Sequence, residues 1–152
     1  MSLYDFLHVG AGRDTDAAVH LARTGRTVIA APGRDGADWF VAFDDGTPDF
    51  ADPVPPYSTY PGWAWLLIAE IAKDFALGLS PWRMLGVKYH AAGDFVTHSG
   101  RDKGEDYWWV DLGDNERAAA EGRQARYAWA TGDTMPLAAC RAFLYVRASS
   151  GA

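Results

Sequence analysis

PVPPYSTYPGWAWLLIAEIAKDFALGL, residues 53–79, joins a stiff proline-rich approach to the most apolar helical pattern in the chain. Pro61 fixes φ and has no N–H to lose, which suits a first helical turn. Tyr60 before it is pushed toward extended geometry, and Ser58 or Thr59 is placed to cap the entry. From 62 to 77 the only charged residues are Glu70, Lys73 and Asp74. At about 100° per residue these three share one face, while Leu67, Ile68, Ile71, Ala72 and Phe75 fill the opposite arc. Burying several such side chains at about 1.5–3 kcal/mol each makes this helix a donor to the core. Trp63 falls on the charged side. Either Tyr57 or Tyr60 covers it, or it stands as an aromatic anchor for a partner.

Toward the N-terminus the pattern is less regular. Asp14 or Thr15 is placed to cap a short helix running to Thr24, with Ala17, Ala18, Leu21 and Ala22 as its apolar stripe and Gly25 at its end. Residues 27–31 are short, β-branched and apolar, and read as a strand. Residues 32–36 form a turn. Residues 39–43 alternate as a second strand, ended by the turn-rich 44–49.

Beyond the central helix, residues 80–82 connect to 83–90, where Leu85, Val87 and Tyr89 share one face as in a half-buried strand. Ala92-Gly93-Asp94 reads as a hairpin turn into 95–98, followed by a charged loop over 101–106. Residues 107–111 and 126–130 are further strands, with a short alanine-rich helix or ordered loop over 115–124 between them. Thr134 caps the last helix and Pro136 sits in its first turn. Residues 137–146 are apolar on most sides, broken chiefly by Arg141, as in a helix that lies against a sheet. The expected fold is α+β: an antiparallel sheet of about four strands sandwiched by helices in α/β/α layers, one domain over residues 1–152.

With 152 residues and 49% apolar content, the chain can bury a sizeable core. A formal charge of −6 argues against direct nucleic-acid binding, which needs a basic surface. The single cysteine, Cys140, excludes an internal disulfide and a cysteine-based zinc cluster, and its apolar helical setting suggests an inert thiol. The first residues carry no secretory signal pattern, and the longest unbroken apolar run, 63–69, is far too short to span a bilayer. A cytoplasmic location with no membrane contact is the expectation. Seven tryptophans imply aromatic packing or an aromatic-lined surface.

Three patterns could carry chemistry. HVGAGRDTDAAVHLARTGRTVIAA (residues 8–31) opens like a dinucleotide-binding unit, but Thr15 stands where the third glycine belongs and Asp14 and Asp16 would face the phosphates. His90 and His98, with Asp94 and Asp102 nearby, could hold a metal ion for a small hydrolase, provided the hairpin register puts both imidazoles on one face. The carboxylates at Asp44, Asp45, Asp49, Asp102, Glu105, Asp106, Asp111 and Asp114 could give a hydrolase a close acid–base pair, but they sit in turns, where Asp is favoured for backbone hydrogen bonding. No nucleophile elbow, phosphate loop or zinc-helix motif occurs.

Three stretches, in order, resemble a phage protein family: GRDTDAAVHLARTGR (12–26), PVPPYSTYPGWAWLLIAEI (53–71) and TGDTMPLAACRAFLYV (131–146). They resemble the opening helix, the proline–tyrosine–serine–threonine entry and the closing helix of the phage ABA sandwich domain, carried by small tailed-phage and prophage proteins. The resemblance implies helices on both sides of an antiparallel sheet and a phage accessory role, and carries no catalytic residue. Tyr57, Ser58, Pro136 and Arg141 fit structural roles in it. The functional expectation is a non-enzymatic protein that binds a host component without a cofactor. An anti-defence role, by blocking a CRISPR-type effector or sequestering a small nucleotide signal, is its most concrete form. Tyr57, Trp63, Trp82 and Trp108 are the candidate binding residues. For a nucleotide, Arg83, Lys88, Arg101 and Lys103 would supply the counter-charge. The alternatives are the metal-dependent hydrolase and a homodimeric assembly protein using an aromatic face.

Overall fold

A computed structural model describes residues 8–33, 36–80, 82–91 and 106–150. In chain order the elements are α1 (Arg13–Thr24), β1 (Val28–Gly33), β2 (Gly36–Ala42), β3 (Pro48–Pro53), α2 (Pro61–Ala76), β4 (Met84–His90), β5 (Tyr107–Gly113), α3 (Asn115–Glu121), β6 (Tyr127–Gly132) and α4 (Met135–Ser150). The strands form two antiparallel three-stranded sheets, ordered β1-β2-β3 and β4-β5-β6. The chain is α+β as expected, but among the described residues the single sheet of about four strands becomes six strands in two sheets, and the expected turn at 92–94 and strand at 95–98 lie outside the described residues. The strand missing from the sequence reading is β3. Its PDFADP begins and ends in proline and carries two aspartates, so it lacks the β-branched alternation by which strands are recognised.

The layering also differs from an α/β/α sandwich. Helix α4 lies on one face of the second sheet, against β5 and β6. Helix α2 packs on α4 rather than on a sheet, and α1 also borders α4 while touching β1 and β2 of the first sheet. The C-terminal helix is therefore the hub. Its residues Ala138, Ala139, Cys140, Phe143 and Val146 are all buried, and they share one cluster with Leu67 and Ile71 of α2 and Val110 and Leu112 of β5. Small alanines on both sides let the backbones approach; Ala128 and Ala130 of β6 are buried against this layer. The Thr134 hydroxyl accepts the Leu137 N–H at 3.4 Å, so the expected cap of α4 is present.

Pro61 opens α2 after an extended Tyr60, as the sequence predicts, but neither Ser58 nor Thr59 caps it. The Ser58 hydroxyl is committed elsewhere: it accepts the Gly12 N–H at 2.9 Å and faces the Gly12 carbonyl at 3.2 Å. Leu67, Ile68 and Ile71 are buried, whereas Ala72 is exposed. Of the charged face only Lys73 points to solvent. Asp74 is buried and lies 3.5 Å from Arg147 of α4, and Glu70 pairs with Arg23 of α1 at 2.7 Å. Three helices thus meet through an ionic seam.

The stripe of α1 is likewise rotated from its expected position. Ala18 and Leu21 are exposed, while Asp16, Val19 and His20 are buried. The cause is polar. Asp16 accepts the Ser58 N–H at 2.7 Å and Arg13 at 2.9 Å, and Arg13 also reaches Asp38 and the Val54 carbonyl. A fully satisfied carboxylate is buried at the helix start in place of an apolar side chain. The segment with the partial dinucleotide pattern is therefore a structural joint, and every strand pairing found is antiparallel.

Candidate functional site

The second sheet has two unlike faces, set by the period of two along its strands. Leu85, Val87, Trp108, Val110, Leu112, Ala128 and Ala130 point to α4 and the main core. The opposite face carries Lys88 and His90 of β4, Tyr107, Trp109 and Asp111 of β5, and Tyr127 and Trp129 of β6, as the register places them. His90 stacks on Tyr107 with ring centroids 5.0 Å apart, and Trp109 stacks on Trp129 at 5.6 Å. Tyr107 and Trp109 are buried, so the reachable aromatic surface is Trp129, half-buried, and Tyr127, 60% exposed.

Beside these rings lies an open trough of about 370 Å³ lined by Lys88, His90, Trp109, Asp111, Tyr127 and Trp129. A smaller hollow of about 210 Å³ adjoins it at Gly86 and Gly113, sharing Lys88, Asp111 and Tyr127. Gly86 is needed there: a Cβ on it would come within 2.1 Å of Asp111 Oδ1. Asp111 therefore leans across β5 onto the bare backbone of β4, where Lys88 Nζ meets Oδ2 at 3.0 Å.

Neighbouring structure fixes the aromatic wall. The Tyr127 hydroxyl donates to Asn115 Oδ1 at 2.6 Å, tying the exposed ring to the start of α3. Just before β6, the Arg126 N–H donates to Asp114 at 2.6 Å, and the Arg123 and Arg126 guanidinium groups donate to the same carboxylate at 2.8 and 3.0 Å. Arg123 and then the Arg126 amide hold the Asp114 carboxyl well below the usual carboxylate range. The wall is preorganised rather than loose, which limits the ordering a ligand must impose.

The four binding candidates from the sequence lie in other places. Tyr57 is fully buried, and Trp63 packs edge-on against it at 5.5 Å. Trp82 is buried beside Tyr145, its indole N–H directed to Ser149 Oγ at 3.3 Å. Trp108 is half-buried on the core face, against Tyr89. Only Tyr57 and Trp63 come together. Of the metal candidates, His90 lies on the outer sheet face, while Asp94 and His98 lie outside the described residues. Among the described residues no three His, Cys, Asp or Glu side chains gather as metal ligands. Of the proposed counter-charges, Arg83 donates to the Ser80 and Trp82 carbonyls and Lys88 is paired, while Arg101 and Lys103 lie outside the described residues.

Tyr127 and Trp129 escaped the sequence reading although a signal was present. In YAWATG the residues alternating with the aromatics are alanines, so small side chains face the helix and large ones face out. Cys140 is buried, and burial pushes its thiol up, out of reach of nucleophilic chemistry. No described helix is long and apolar enough to cross a membrane. No family model matches the chain, and neither a curated protein nor a solved structure matches it.

Proposed function

We propose that this protein is a non-enzymatic binding protein whose outer sheet face, at Tyr127, Trp129, Asp111 and Lys88, receives its ligand or partner. One observation carries the reading: an accessible aromatic wall held by hydrogen bonds and stacking beside a trough with few polar groups, the usual make-up of a binding site. The resemblance of three sequence stretches to the phage ABA sandwich domain supports reading it as a phage accessory protein acting on a host component, with an anti-defence role as the concrete form. The test is capture of that component from bacterial lysate by immobilised protein. Wild type retains it, and Tyr127→Ala and Trp129→Ala lose it while keeping wild-type circular dichroism. Retention by both folded variants would move the site elsewhere.

A second reading is favoured by α2. Its outward side carries Trp65, 54% exposed, in line with exposed Ala69, Ala72 and Ala76. Small residues permit close helix approach, so a second copy of the chain can pack there, giving the homodimer. Light scattering would show a dimer that Trp65→Glu converts to monomer. A monomeric wild type removes this reading.

A further inference from the structure

Among the described residues that line it, the trough is electrically balanced, and that property narrows its ligand. Lys88 and Asp111 neutralise each other across 3.0 Å, on a chain of net charge −6. A phosphate-bearing ligand would meet one already paired ammonium beside a carboxylate. A cationic side chain would meet the same carboxylate with its charge already answered. What remains available is hydrogen bonding of both kinds: spare N–H donors on Lys88, which has three, and lone pairs on Asp111, whose side chain is 35% exposed. Beside Asp111, on β6, stand its cross-strand partner Trp129 and the exposed Tyr127. The β4 side of the trough carries the stem and ammonium of Lys88 and the ring of His90, which is already stacked on Tyr107.

We infer that the trough takes a neutral saccharide, the ring lying on the Trp129–Tyr127 wall with its hydroxyl groups meeting Asp111 and Lys88. A pyranose carries polarised C–H groups on one face, which suit the negative face of an aromatic ring. Its hydroxyls each donate and accept, so they satisfy a carboxylate and an ammonium together. The smaller hollow adjoining the trough shares Lys88, Asp111 and Tyr127 with it, so a second sugar unit would extend in that direction.

This inference rests on the outer sheet face being the binding site. The test titrates the full chain with neutral tetrasaccharides of glucose and of N-acetylglucosamine, with AMP, and with an arginine-rich peptide, by calorimetry and tryptophan fluorescence. A tetrasaccharide is expected to bind with a fluorescence change. Asp111→Asn, which keeps the shape of the side chain, is expected to weaken it about tenfold, as loss of a charge-assisted hydrogen bond would. Tyr127→Ala, an exposed position, serves as a second variant should Trp129→Ala fail to fold. Binding of no saccharide, tighter binding of AMP or the peptide, or saccharide binding unchanged in folded Asp111→Asn and Tyr127→Ala would overturn the inference. If saccharides fail while lysate capture still depends on Tyr127 and Trp129, the ligand class is wrong and the site stands; if both fail, the site falls too.

Discussion

At Tyr57 a buried phenol ties the segment before α2 to α1. Arg23 Nη1 donates to its oxygen at 3.2 Å, and His20 Nδ1 lies 2.8 Å from it. Arginine cannot accept, so the arrangement that uses every proton has the Tyr57 O–H donating to a bare Nδ1. Tyr57→Phe leaves His20 and Arg23 short of a partner in a buried site. It is expected to cost about 1–3 kcal/mol, read from the urea midpoint at constant slope. The same geometry makes His20 a source of acid sensitivity. Burial, above all, lowers its pKa below the ordinary 6.5, with Arg23 and Arg26 adding to that and Asp52 opposing it. The unfolded chain therefore binds a proton in a range where the folded chain does not. The stability involved is complete above about pH 6.5 and is lost as pH falls from there toward the folded value. Urea midpoints at pH 7.5 and 5.5 should separate for wild type and draw together for His20→Gln. Equal separations in both would assign the acid effect to other groups.

Among the elements, β6 and α4 meet through a close backbone contact. Gly132 ends β6 two residues before the α4 cap, and a Cβ there would lie 2.6 Å from the Ala138 backbone nitrogen and 3.0 Å from the Thr134 carbonyl oxygen. Backbone atoms cannot swing aside as a long side chain can. Gly132→Ala is expected to destabilise by about 1–3 kcal/mol, whereas alanine at Gly10, with open space around it, should change little. Thermal melts of the two variants check this. Much of this level was legible in the chain: Pro61, Thr134 and the alternation in residues 83–90 each announce a local geometry that the fold keeps. What was not legible is which face of each element turns inward. Glu70 and Asp74 read as a solvated face because charge is costly to bury, yet Arg23 and Arg147 come from helices about 47 and 73 residues away in sequence to pair with them. The same applies to Asp16, whose partner Ser58 lies in a different segment. Periodicity reports which residues share a face, while long-range pairing decides what that face meets. The outer site was half visible on this account. The alternation in β5 and β6 separates Trp109 from Trp108 and Trp129 from Ala128, but only the position of α4 makes one side the outside.

For the whole molecule the question is whether the two sheets behave as one cooperative unit. Among the described residues no strand pairing joins the two sheets. What joins them is the helical layer. Val28 and Trp39 of the first sheet, Val110 and Ala130 of the second, and Phe143 of α4 belong to a single apolar cluster. Phe143 is fully buried within it, and Arg147 stands over its ring at 4.9 Å. Removing this side chain opens a cavity where α4 meets its neighbours, and Phe143→Ala is expected to cost about 3–5 kcal/mol. If the layer couples the sheets, the loss reaches both alike. Denaturation followed by tryptophan fluorescence, which weights the second sheet through Trp108, Trp109 and Trp129, should then coincide with the far-ultraviolet transition of the whole chain, in wild type and shifted together in Phe143→Ala. Two separated transitions in the variant, with the first sheet melting apart from the second, would show that α1 and α4 carry less of the connection than their shared core implies.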